Sequence, residues 1–103
     1  MSAYVMVDVE VFDAGRVPGY QALAEPSIRL YGGRYLVRGA KPEAVEGTWP
    51  ASRHVVVLEF PDMEQVRRWY SSPEYAEAIE ARKGAMDIRL LFVEGVPGQE
   101  DPA

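Results

Sequence analysis

The sequence predicts an α+β fold: one antiparallel sheet of four strands, in the chain order β-α-β-β-α-β, with the helices on a single sheet face. Three observations predict it. Residues 3–12 alternate with period two, and Val5, Val7, Val9 and Val11 share one side. Residues 54–60 and 86–94 repeat that alternation. Between these runs lie stretches with apolar residues at helical spacing, each bounded by start and stop residues.

The first strand is read over Ala3–Phe12. Its valine side should meet the helices, leaving Tyr4, Met6, Asp8, Glu10 and Phe12 on the other side. Asp13-Ala14-Gly15 reads as a turn, and Pro18 suits the first turn of a helix. Val17, Tyr20, Ala24, Ile28 and Tyr31 then predict a helix over 17–31. Pro26 removes a donor and disfavours helical geometry at Glu25, so a kink or a break is expected there. Gly32 or Gly33 can take the left-handed conformation that closes a helix.

A second strand is expected over 34–39. Simple alternation puts Tyr35 and Val37 on one face and Arg34, Leu36 and Arg38 on the other. Residues 40–53 form a long connection, with a short strand extension over Val45–Trp49 and Trp49 as an aromatic anchor in need of cover. The third strand, His54–Phe60, sets Val56, Leu58 and Phe60 against Val55, Val57 and Glu59. Asp62 is the cap of a helix, with Gln65 reaching back in a capping box. That helix carries Met63, Val66, Trp69 and Tyr70 and restarts at Ser72-Pro73. Tyr75, Ala76 and Ile79 follow, Arg82 and Lys83 suit the negative end of the dipole, and Gly84 stops the run. Met86–Glu94 is the fourth strand. Residues 1–96 are read as a single domain, and 97–103, rich in proline, glycine and acid, as a flexible C-terminal tail.

Composition narrows the classes of function. Eleven basic against sixteen acidic residues give a net charge of −5, which argues against nucleic acid and anionic membrane surfaces. No cysteine is present, so disulfides and thiol chemistry are excluded. The first residues lack a signal-peptide pattern and no apolar run has the length of a membrane span, so a cytoplasmic location is expected.

The element order is that of a ferredoxin-like fold, with spatial strand order 4-1-3-2 and helices on one face. The other face would carry Met6, Phe12, Val55, Val57, Leu91 and Val93 uncovered, which predicts a homodimer. The same residues resemble a known family. Gly32-Gly33-Arg34-Tyr35-Leu36-Val37-Arg38-Gly39, Glu46-Gly47, Val56-Val57-Leu58-Glu59-Phe60, Trp69-Tyr70-Ser71-Ser72-Pro73-Glu74-Tyr75 and Arg82 together resemble the bacterial family known as domain of unknown function 1330, over about residues 3–96. The resemblance implies a dimeric α/β barrel, in which two ferredoxin-like sheets face each other. It implies no reaction. The wider superfamily includes cofactor-free monooxygenases, lactone isomerases, dye-decolourising peroxidases and haem-degrading enzymes, alongside members without known catalysis. Family members often carry a second glycine where Ala40 stands here.

Candidate site residues come from the sheet face turned away from the helices. Alternation displays there Asp8, Glu10, Arg34, Arg38, Glu59, Asp87 and Arg89, and Asp8, Arg38 and Glu59 are the leading candidates for contact with a small molecule. A carboxylate beside an arginine could act as general base and anion holder. The same groups could equally be ion pairs that set strand register. His54 is the only histidine, too little for a metal site without carboxylates, although one nitrogen would suffice for haem. No cofactor or metal is read from the sequence. Trp49, His54 and Tyr70 complete the candidates. Two functions compete: a cofactor-independent enzyme or binder of a small polar metabolite, and a non-catalytic dimeric ligand-sensing or accessory module. An enclosed cavity of roughly 300 Å³ with convergent polar groups would favour the first.

Overall fold

The computed structural model describes residues 2–97. Four strands, β1 (Ala3–Val11), β2 (Arg34–Ala40), β3 (Arg53–Phe60) and β4 (Met86–Glu94), form one sheet in the order β2-β3-β1-β4. All three pairings are antiparallel. The helices α1 (Val17–Leu30), α2 (Met63–Tyr70) and α3 (Pro73–Arg82) cover one face, and a short 3-10 turn (Ala14–Arg16) leads into α1. The tail expected over 97–103 lies, apart from Pro97, outside the described residues.

The core forms where the odd-numbered side of β1 meets the helices. Val5 stands opposite Leu58 on one side and Phe92 on the other, and Val7 opposite Val56 and Leu90. Ala3, Val5, Leu58, Phe60, Val66, Trp69 and Tyr75 are each at most 2% exposed. Trp69 is the largest buried side chain, its ring 4.2 Å from that of Tyr75 and 5.3 Å from that of Phe60. Its indole N–H donates to Ser27 Oγ at 3.0 Å, which ties α2 to α1 inside the core.

The end of α1 shows how two adjacent glycines divide two tasks. Gly32 takes φ +85° and its N–H donates to Arg29 O, while the Gly33 N–H donates to Ile28 O. This is the Schellman closure, and Gly32 is the left-handed residue. Gly33 serves a different need: a Cβ there would lie 2.6 Å from the Phe60 ring and 2.8 Å from Ile28. The chain passes that point only without a side chain.

Several local expectations are corrected. The helix α1 runs through Pro26 as one element, so the break offered as one alternative there is absent. Pro26 and Ala22 are both exposed, so water can serve the carbonyl that Pro26 cannot. Asp62 accepts from the Gln65 N–H at 2.8 Å, as a cap should, but the Gln65 side chain does not return to Asp62. It donates to Tyr31 O at 3.1 Å and satisfies the end of α1 instead. The connection from Lys41 to Ser52 contains no strand, so the extension over Val45–Trp49 is absent, and Trp49 is 56% exposed within this chain. Phe12 lies just past β1 and is 63% exposed.

The largest correction concerns β2. Its register against β3 shifts between Tyr35 and Val37 and again between Arg38 and Ala40, where Gly39 has φ +75°. Each bulge adds an unpaired residue and reverses the alternation. Tyr35 pairs with Leu58 and Arg38 with Val56, both on the helix-covered side, whereas Arg34 pairs with Glu59 and Val37 with Val57 on the open side. Tyr35 and Val37 therefore face opposite ways. Arg38 leaves the face on which simple alternation had put it beside Asp8 and Glu59.

Candidate functional site

Two groups of polar residues stand on opposite sides of the sheet. On the open face, Arg53 is the hub. Register sets it opposite Glu10, and its side chain is only 9% exposed. Its Nε donates to Asp8 Oδ1 at 2.6 Å and its Nη1 to Asp87 Oδ2 at 3.0 Å, with Glu10 Oε1 at 3.4 Å. Arg89, paired with Asp8 across β1 and β4, donates to the same carboxylate at 2.9 Å. The hydrogen bond from Arg89 holds the Asp8 carboxyl below its usual range; burial opposes this, and Arg53 reinforces it. Burial also works against the Arg53 charge, but the hydrogen bonds to Asp8 and Asp87 outweigh it and raise its pKa. Asp8 is therefore a paired anion at neutral pH and is poorly suited to act as a base. Farther along the sheet, Arg34 donates to Glu59 at 2.7 Å and likewise lowers its pKa.

On the covered face lies a cavity of about 300 Å³. It opens at the end of the sheet where β1 finishes and β3 begins, beneath the first half of α1. Its walls are apolar: Val7, Val9 and Val11 of β1, Val56 of β3, Met86 and Ile88 of β4, and Val17 of α1. The polar lining is small and convergent, from Tyr20 and Gln21 on α1, Tyr35 and Arg38 on β2, and His54 on β3. Period-two structure explains the wall, since Val7, Val9, Val56 and Ile88 all point to one side. The bulge at Leu36 explains the arginine, because without it Arg38 would point to the opposite face.

Arg38 is held from two directions. It donates to Glu25 Oε2 at 2.5 Å, and its guanidinium lies 4.6 Å from the Tyr35 ring centre. Arg38 lowers the Glu25 pKa, Glu25 raises that of Arg38, and burial raises that of Tyr35. His54 stands opposite Val9, and no hydrogen bond holds its imidazole among the described residues. An apolar ring could therefore lie against the valines with a polar edge directed to Arg38, Tyr20 and His54. Among the described residues no three His, Cys, Asp or Glu side chains gather as metal ligands.

Of the residues singled out from the sequence, the structure brings Arg38 and His54 together. Asp8 and Glu59 lie on the other side of the sheet. Trp49 sits in the connection between β2 and β3. Tyr70, at the end of α2, packs on Trp69, Tyr75 and Phe92 at 5.6 to 6.1 Å between ring centres. Sequence reasoning missed Arg53, which only the β1–β3 register connects to Asp8. It also missed the tyrosines of the cavity. Tyr20 read as part of an apolar helical stripe, and its hydroxyl was the available signal.

The fold and the cavity define a ferredoxin-like chain whose helices and sheet border a half-open, small-molecule-sized space. The chain belongs to the domain of unknown function 1330 family (DUF1330), whose profile matches residues 2–96. It is similar in structure to a protein of unknown function from Rhodopseudomonas palustris, with 19% identity and a TM-score of 0.75 over 92% of this chain and 82% of that one. It is also similar to a dimeric ferredoxin-like protein of unknown function from Jannaschia sp., with 13% identity and a TM-score of 0.67 over 92% and 100% of the two chains. SnoaB, a cofactor-independent oxygenase from Streptomyces nogalater, matches with 12% identity and a TM-score of 0.66 over 97% and 98%. Likeness at these identities establishes the fold. No curated protein matches the sequence. No helix among the described residues is long and apolar enough to cross a membrane.

Proposed function

We propose that this chain handles a small amphiphilic molecule in the cavity beneath α1, without a cofactor, and that it does so as a homodimer. The observation that carries the reading is the cavity itself. At about 300 Å³ it holds a one- or two-ring compound, and its apolar walls end in Arg38, His54, Tyr20 and Tyr35. This favours an enzyme or a ligand-sensing binder over an accessory module without a ligand. The likeness to SnoaB, a cofactor-independent oxygenase, is in keeping with it. The lining also shifts the expected ligand from polar to amphiphilic, since most of the wall is valine, isoleucine and methionine.

The dimer reading rests on the open face. Met6, Leu91 and Val93 are 39%, 68% and 43% exposed there, beside the half-buried Val37, Val55 and Val57. Covering such a surface is favourable at roughly 25 cal/mol per Å² before association costs. The dimeric neighbour from Jannaschia sp. supports the same assembly.

The test is a thermal-shift screen of small aromatic acids, phenols and ketones against the wild type and Val11→Trp. Val11 lies at the cavity mouth and is 39% exposed, so a large ring there blocks the entrance without entering the core. A ligand at a hundred times its Kd should stabilise the wild type by about 2.7 kcal/mol and the variant far less. Equal responses in both proteins, or no response from any compound, would refute the cavity as the site.

A further inference from the structure

Burial and donor chemistry together determine the direction of one hydrogen-bonded chain at the cavity. Tyr75 on α3 is 1% exposed, and its hydroxyl has two partners among the described residues. Arg82 Nη1 donates to it at 3.0 Å, and the Tyr20 hydroxyl lies 2.8 Å away. A guanidinium carries no acceptor, so the Tyr75 proton cannot go to Arg82. The Tyr20 oxygen is its single taker; the opposite arrangement would strand a buried O–H, which native structures rarely do. Burial raises the Tyr75 pKa, so the middle link stays protonated. The chain therefore runs from Arg82 to Tyr75 to Tyr20. The proton of Tyr20 is left over, and Tyr20 lines the cavity. Donors aligned in this way polarise one another, which makes Tyr20 a stronger donor than an isolated phenol.

We propose that the Tyr20 hydroxyl donates a hydrogen bond to an acceptor oxygen of the cavity's ligand, so that the site selects ring compounds bearing a carbonyl, enolate or carboxylate oxygen. Tyr75 and Arg82 are positioning residues that aim and polarise this donor. The inference rests on the cavity reading above and gives that reading a substrate class. Arg38, which spends one guanidinium N–H on Glu25, is a second donor at the rim, so the contribution of Tyr20 is read from the change that its own substitution makes.

The test uses two neutral probes of nearly the same shape, 2-acetonaphthone and 2-ethylnaphthalene, which differ in one acceptor oxygen. A neutral ketone keeps the charge of Arg38 out of the comparison. Binding of both is measured on the full chain for wild type, Tyr20→Phe and Tyr75→Phe. The wild type is expected to prefer the ketone, and Tyr20→Phe to lose roughly three- to tenfold of that preference, the worth of one neutral hydrogen bond, with little change for the hydrocarbon. Tyr75→Phe should give a ratio between those of the wild type and Tyr20→Phe, and a ratio equal to the wild type would overturn its positioning role. A change in packing alone would move both probes together, leave the ratio fixed and overturn the proposal. Binding of both probes with a ratio that Tyr20→Phe does not alter would overturn it while leaving the cavity reading intact. Failure of the wild type to bind either probe would overturn both.

Discussion

Replacing Ser27 by alanine tests whether the core is held by polar satisfaction as well as by apolar burial. Ser27 is 1% exposed at the start of the last turn of α1. Its hydroxyl donates to Ala24 O at 2.6 Å and accepts the indole N–H of Trp69 at 3.0 Å. Trp69 is itself 1% exposed, so Ser27→Ala leaves a buried donor without an acceptor. Such an orphan costs about 1–3 kcal/mol. Alanine returns a few tenths of a kcal/mol as the better helix former. The expected net loss is about 2 kcal/mol, or roughly 10 °C in Tm for a domain of this size. Urea unfolding at fixed protein concentration measures it, because assembly would otherwise shift the midpoint. A double-mutant cycle with Trp69→Phe isolates the cause. If the orphaned N–H is responsible, Ser27→Ala should cost about 1–3 kcal/mol less in the Trp69→Phe background, where no indole remains. A loss below about 0.5 kcal/mol, or equal losses in both backgrounds, would refute the reasoning.

Three further outcomes are expected. Arg53→Met should lower the melting temperature at pH 7, because Glu10 and Asp87 stand directly opposite each other and lose their shared cation. The folded-state pKa of Asp8 is lowered, so the stability it contributes is present above the ordinary aspartate value and is lost as pH falls below about 4; the gap between variant and wild type should close over that range in a melting series against pH. Gly33→Ala should destabilise by about 1–3 kcal/mol through the clash with Phe60 and Ile28, read by denaturant titration. Leu91→Asp should convert the proposed dimer to an 11.5 kDa monomer in light scattering, since it places a charge on the most exposed apolar side chain of the open face.

Local chemistry made most of the fold legible. The valines of β1 name their face because side chains in a strand alternate, and that rule holds wherever the ladder is regular. The caps at Asp62 and Ser72 were legible because a short acceptor ahead of a helix satisfies a donor three residues on, as both do here. The helix break at Ser72-Pro73 followed from the same chemistry. All of these signals act over a few residues.

The site depended on longer-range geometry. Arg38 reaches the cavity because β2 bulges against β3, and a bulge is a property of two paired strands. Arg53 becomes the hub of the open face because the β1–β3 register seats it against Glu10 and within reach of Asp8 and Asp87. Gln65 looks like half of a capping box until α1 ends within its reach. The sequence by itself determined the α+β class, the strand order and the apolar sides of β1, β3 and β4, because those follow from element order, periodicity and capping. Tertiary structure decided which charged groups share a face and where a cavity remains, because both depend on strand register and on how closely α1 seats on a sheet whose strands are far apart in the chain.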